Sequence, residues 1–239
     1  MNLLILSRAT EAVRPCAYGD TEIAHCNKLL NLIEPHLKRC GAACVRTPAG
    51  LSPAACAHFS NLQYMMHSAK HPGAQVFHYA CHTQDQNSAA FQAVASGWGA
   101  YIFGSENRES PGGRRMAEIL WEHQKQLYPH FFMVLPTDAY VELRKTRAPA
   151  VIEQIIFHDN PLDALWLHKH LPEIAENKAR ALCEISGVEW VAPGEKAKTW
   201  YTVQVGTYQS FACARAAEKE LADAGFAGNI VKKRLTKKP

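Results

Sequence analysis

Nothing in the 239 residues approaches the ~18-residue apolar run that a membrane-spanning helix needs, so no membrane span is expected. The opening stretch MNLLILSRATEAVRPC lacks a basic leader and a small-residue cleavage site. It reads as a first β-strand rather than a signal peptide, which implies synthesis in the cytoplasm. The eight cysteines include no C-x-x-C pair, which argues against a structural zinc cluster, and without an export signal they are expected to be reduced thiols. Low-complexity tracts are absent. Excess charge is scarce over most of the chain. From Thr199 onward there are seven Lys/Arg against three acids, a surplus equal to the net +4 of the whole, so residues 1–198 are close to neutral. Such a tail is a solvated basic face or, less specifically, a nucleic-acid contact; its strand-like pattern favours the former.

What is present is an ordinary globular composition, 47% hydrophobic and 20% charged. The length suits one substantial α/β domain with a small appendage. Strand-like and helix-like segments alternate. LLIL (3–6) is followed by a helical period through Ile23, Leu29, Leu30, Ile33 and Leu37 that stops at Gly41. ACVRT, AQVFHYAC, WGAYIFG and PAVIEQIIF read as further strands. LSPAACAHFSNLQYMMHSAKH, PGGRRMAEILWEHQKQLYP and NPLDALWLHKHLPEIAENKARALCEISG read as helices, the last as one or two. The fold class expected is therefore α/β, a mostly parallel sheet covered by helices on both faces, with any site beyond the carboxyl ends of the strands. Domain limits follow: 1–190 for this unit, a linker at 191–198, and a strand–helix–strand segment at 199–239 built from YTVQV, a helix over Phe211–Ala224, and GNIVK.

Two stretches suggest chemistry. FHYACHTQ puts His82 at the carboxyl end of a central strand, and Glu22 opens the first helix, so the two can converge. A Glu and a His from neighbouring strand ends are a start towards a catalytic zinc, which takes three N/O protein ligands and keeps one place for water. The blander alternative is a helix-dipole carboxylate and a satisfied structural imidazole. His78 lies four residues from His82 on one strand, roughly 13 Å away at 3.3 Å per residue, too far to share an ion. It is expected to be structural or to face substrate.

GDTE near residue 20, FHYACHTQ near 80 and LRKTRAPAVIEQIIFHDNPLDALWL from 143 to 167 resemble, in order and spacing, the zinc-dependent N-acetylmuramoyl-L-alanine amidases of the amidase-3 type. The tail YTVQVGTYQSFACARAAEKELADAGF is similar to the start of a SPOR domain, a module that binds peptidoglycan glycan strands. The resemblance implies one Zn2+ held by His, Glu and His, with a further Glu as general base. It would cut the amide between N-acetylmuramic acid and the L-alanine of the stem peptide, as in sporulation-associated lytic enzymes that act on the wall after lysis or non-classical release. Glu22 and His82 match as metal ligands. The family's first His sits in a Gly-His-Gly loop; here that loop reads SRATEA, and His25, one turn on from Glu22, is the substitute third ligand. His158 belongs to the family-like FHDNP turn and is expected to order it.

For the base, the ungapped family register falls on Gln154, which can bond a water but cannot take its proton. Glu153 would then point to the opposite face, under the helices, where an unpaired carboxylate is costly. A β-bulge would instead turn Glu153 to the site and remove that cost, and on this ground Glu153 is the base expected. A structural Glu153–Gln154 pair, held by Arg144 or Arg147, is the third possibility. The sequence thus frames two functions: a zinc-dependent hydrolase, and a catalytically degenerate peptidoglycan-binding protein on the same scaffold. Two strands and one helix are also too few to bury a core, so the tail is expected to pair two chains into a homodimer. The alternatives are a tail that packs on its own first domain or stays partly disordered.

Overall fold

The computed structural model describes residues 1–9, 14–84, 95–105, 108–127, 132–195, 206–208, 210–225 and 230. The chain divides into two units, Met1–Ala197 and Lys198–Pro239. In the first, a sheet is assembled from β1 (Leu3–Arg8), β2 (Ala43–Arg46), β3 (Val76–Gln84), β4 (Trp98–Ser105), β5 (Arg108–Glu109), β6 (Phe132–Thr137) and β7 (Ala150–Phe157). The spatial order is β2-β1-β3-β7-β4-β5, with β6 also on β4. The β2-β1-β3-β7 run is parallel throughout, whereas β4 lies antiparallel to β7 and carries β6 parallel to itself. The expected α/β architecture is therefore present, with β4 antiparallel to both β7 and β5. β6 has no counterpart in the sequence reading. Its Pro136 weakens the strand signal, and a proline is tolerated there because β6 lies outside the central path of the sheet.

Helices cover both faces. α1 (Glu22–Arg39), α3 (Pro111–Gln124) and α5 (Pro161–Ser186) pack with Leu4, Leu6, Tyr79, Cys81 and Val151 in the largest core cluster. α2 (Pro53–Lys70) and α4 (Val141–Lys145) lie on the other side, where Leu3, Ile5 and Val76 meet Tyr64, and Ala80 and Ile152 meet Leu143. The helix starts are written in the sequence. Thr21 accepts from Ala24 N at 3.3 Å, and Asn160 accepts from the Leu162 and Asp163 amides ahead of α5, with Pro161 in the first turn. Gly187, at φ 69°, closes α5, a single 26-residue helix that runs through Pro172. α3 seats closely on the sheet: a Cβ on Gly113 would stand 2.7 Å from the Ala150 carbonyl oxygen.

In the second unit the described structure is α6 (Phe211–Asp223), capped by the Ser210 hydroxyl accepting from Cys213 N. The strands expected at 201–205 and 228–232 lie outside the described residues, save Ile230. Among the described residues, no helix is long and apolar enough to cross a membrane.

Candidate functional site

Side chains alternate along a strand, so His78, Ala80 and His82 of β3 share one face, while Tyr79, Cys81 and Thr83 share the other. In the β3–β7 ladder Cys81 stands opposite Glu153 and His82 opposite Gln154, and the register shifts only afterwards, between His82 and Gln84. The bulge expected to turn Glu153 to the site therefore falls too late to do so.

Glu153 instead points into the helix-covered core, where it is fully buried. Its Oε1 accepts from Trp98 Nε1 (2.6 Å) and forms an ion pair with Lys178 of α5. Its Oε2 accepts from Tyr79 OH (2.5 Å). Lys178 Nζ also donates to Gln124 Oε1 at 2.6 Å and lies 5.0 Å over the Trp98 ring. Burial pushes the Lys178 ammonium below its ordinary pKa while the Glu153 charge opposes that shift, and burial followed by the Glu153 charge raises the Tyr79 phenol. This corrects the expectation that Glu153 acts as base, and equally the idea that Arg144 or Arg147 holds it. Its partner is Lys178, and all its acceptor capacity is directed into the core.

Gln154 lies on the His82 side. Its Oε1 accepts from Tyr101 OH at 3.0 Å. The Tyr101 and Tyr140 rings meet His82 edge-on at 5.7 and 5.8 Å, and each other at 4.9 Å. Glu22, at the mouth of α1, brings Oε1 to 3.8 Å from His82 Nδ1 and accepts from Thr83 N at 3.4 Å. His82 is 5% exposed, and its Nε2 is buried without a hydrogen-bond partner among the described residues. Burial, then the charges of His158 and Arg14, depress its pKa to about 4, so the ring is neutral near pH 7. The structure thus joins Glu22, His82 and Gln154 in one largely buried cluster at the strand ends, the candidate cleft, and adds Tyr101 and Tyr140, which the sequence does not single out. An aromatic at the outward-alternating position of WGAYIFG was the available signal for Tyr101.

His25 does not join them. It lines a small space with Cys26, Leu29, Thr83, Ile155 and Leu167, on the opposite face of β3 from His82. Its Nε2 lies 3.6 Å from Asp20 Oδ2, and burial lowers its pKa. Among the described residues, Glu22, His25 and His82 do not gather into a group that could hold a metal ion, which corrects His25 as third ligand. His78 is structural. Its Nε2 donates to Glu142 Oε1 (2.8 Å) and its Nδ1 pairs with the Ser60 hydroxyl (3.1 Å), a Ser–His–Glu arrangement fully enclosed between α2, β3 and α4. His158 orders its turn through Thr83 Oγ1 at 2.8 Å. Asp163 secures the same region by accepting from Ser96 Oγ, Gly97 N and Phe157 N.

A catalytic zinc needs three protein donors around one point. Among the described residues, no three His, Cys, Asp or Glu side chains gather in that way. Glu22 and His82 supply two donors, and the orphaned His82 Nε2 is the kind of atom a metal or ligand N–H would meet. The described donor set does not complete a zinc site.

The fold is that of N-acetylmuramoyl-L-alanine amidases. The chain superposes on the amidase Ami1 of Mycobacterium smegmatis with a TM-score of 0.63 at 10% identity, covering 78% of this chain and 97% of that one. The catalytic domain of CwlV from Bacillus (Paenibacillus) polymyxa var. colistinus gives 0.60 at 12% identity, with 79% and 100% covered. An N-acetylmuramoyl-L-alanine amidase of Clostridium difficile 630 gives 0.61 at 12%, with 77% and 95% covered. The SPOR domain family matches residues 178–232. That match opens inside α5, whose Lys178–Ser186 segment packs largely into the core of the first unit. No curated protein sequence matches the chain.

Proposed function

We propose that this chain is a peptidoglycan-binding protein on an amidase fold, which holds stem peptide at the His82 cleft and glycan strands through its SPOR-like tail without cutting the wall. One observation carries the reading. The residue across the ladder from His82 is Gln154, an amide that can orient a ligand but cannot accept a proton, while the adjacent carboxylate is committed to Lys178. The cleft suits holding rather than turnover: a neutral imidazole, an amide and two phenol rings can bond peptide groups and pack against them.

A second reading, hydrolysis of the N-acetylmuramoyl–L-alanine amide with zinc as cofactor, is favoured by the convergence of Glu22 and His82 and by the unpartnered His82 Nε2. It needs a third donor beyond the described groups and a base other than Glu153.

The tail is proposed to act as a pair. α6 has no buried residue, Phe211 on it is 70% exposed, and a second copy would cover that face. Co-sedimentation with purified peptidoglycan sacculi, with release of stem peptides followed in the same tubes with and without added ZnCl2, tests the function. Binding without release supports the proposal, and zinc-dependent release supports the second reading.

A further inference from the structure

The sequence HSAKH at the end of α2 sets His67 and His71 four residues apart, one turn along the same helix face. The last turn is closed by the His71 amide donating to the His67 carbonyl at 2.8 Å, which holds the two backbone positions one turn apart. Their rings lie 4.7 Å apart between centroids, tilted by 43°. This separation has a simple geometric meaning. An imidazole nitrogen binds a first-row divalent ion at about 2.0–2.1 Å, which places the ring centre roughly 3.2 Å from the metal. Two such rings at angles between square and tetrahedral then have centres about 4.5–5.2 Å apart. The observed pair falls inside that range.

A second observation concerns protonation. His67 Nε2 lies 2.8 Å from the Met1 carbonyl oxygen. A carbonyl only accepts, so the N–H is on Nε2 and the lone pair is on Nδ1. A ring N–H given to a backbone carbonyl is the usual outer-shell partner of a metal-binding histidine, because it fixes the tautomer and raises the basicity of the other nitrogen. The chain has no Asp or Glu between Glu34 and Asp85, so α2 itself offers no hard carboxylate ligands.

We infer that His67 and His71 form a surface site for an imidazole-seeking divalent transition ion, separate from His82 and beside the residues that precede β1. The all-nitrogen donor pair sets the selectivity: Cu2+ binds most tightly, Ni2+ and Zn2+ follow, and Mg2+ and Ca2+ are not held. The ion would tie the end of α2 to the residue that precedes β1.

Calorimetric titration of the full chain with CuCl2, NiCl2, ZnCl2 and MgCl2 tests the site. The expected result is a Cu2+ site that weakens at least tenfold in His67→Ala and in His71→Ala, is unchanged in His170→Ala, and has no Mg2+ counterpart. Electron paramagnetic resonance of the wild-type protein with one equivalent of Cu2+ provides a readout that needs no variant, and coupling to two imidazole nitrogens is expected. Equal Cu2+ affinity and stoichiometry in wild type and in the His67→Ala/His71→Ala double variant would overturn the assignment, as would a wild-type spectrum without imidazole nitrogen coupling.

Discussion

Gln154 is the ladder partner of His82, and Glu153, one residue earlier, faces the opposite side of the sheet and pairs with Lys178. A single step along β7 therefore separates the cleft from the core. The carboxylate that looks catalytic in the sequence is a structural one.

Glu153→Gln should accordingly act on stability. The amide oxygen can still accept from Trp98 Nε1 and the amide nitrogen can donate to the Tyr79 hydroxyl, but the Lys178 charge is left buried and unpaired, a loss of about 3–5 kcal/mol. Urea unfolding measures it. The Glu153→Gln/Lys178→Met double variant should recover the greater part, because both charges are then gone. A Glu153→Gln protein as stable as wild type would contradict the ion-pair role.

His82 makes a pH-dependent contribution. Its pKa falls from an ordinary 6.5 to about 4 on folding, so between those values the unfolded chain binds the extra proton. The stabilisation from its neutral form is fully present above pH 6.5 and is lost as pH falls towards 4, up to about 3 kcal/mol at 1.36 kcal/mol per pKa unit. His25 shifts in the same direction, so the comparison must be made against a variant. The pH 7 to pH 4 loss in urea stability should be smaller in His82→Gln than in wild type. Equal losses would show that His82 is not buried neutral.

Much of this could be read in the sequence, and the failures have physical causes. The strand–helix alternation, the caps at Thr21 and Asn160 and the convergence of Glu22 with His82 all follow from local pattern. The sequence also contained the answer for Glu153. Lys178 stands on the apolar stripe of α5, four residues after Ile174 and four before Leu182, and a lysine there demands a buried acid. Pairing them requires knowing that α5 covers the same face as odd-numbered β7 residues, which is tertiary information. His25 failed for the same reason: i, i+3 spacing places it near Glu22 on a helix but says nothing about which side of β3 it faces. The reversal of β4 was hidden because an apolar strand buried on both faces reads alike in either direction.

Gln154→Glu puts a carboxylate opposite His82 that can serve as a base or as a third metal donor, but not as both. We expect no rise in stem-peptide release over wild type, with or without ZnCl2, by chromatography of soluble peptides. A clear gain would mean that the amide alone silences the site.

The tail pairing predicts a concentration-dependent dimer in light scattering of the full chain at tens of micromolar. Phe211→Asp, which puts a charge on the exposed apolar face of α6, should return it to monomer while leaving the urea stability of the first unit unchanged. A full-length monomer under the same conditions would contradict the pairing.

The most direct test of binding without cleavage is to count new L-alanine amino termini on purified sacculi incubated with the protein and ZnCl2, while measuring the protein that sediments with them. The account predicts that protein sediments with the sacculi and that amino termini stay at the level of the protein-free control. A time-dependent rise in free L-alanine termini would contradict it.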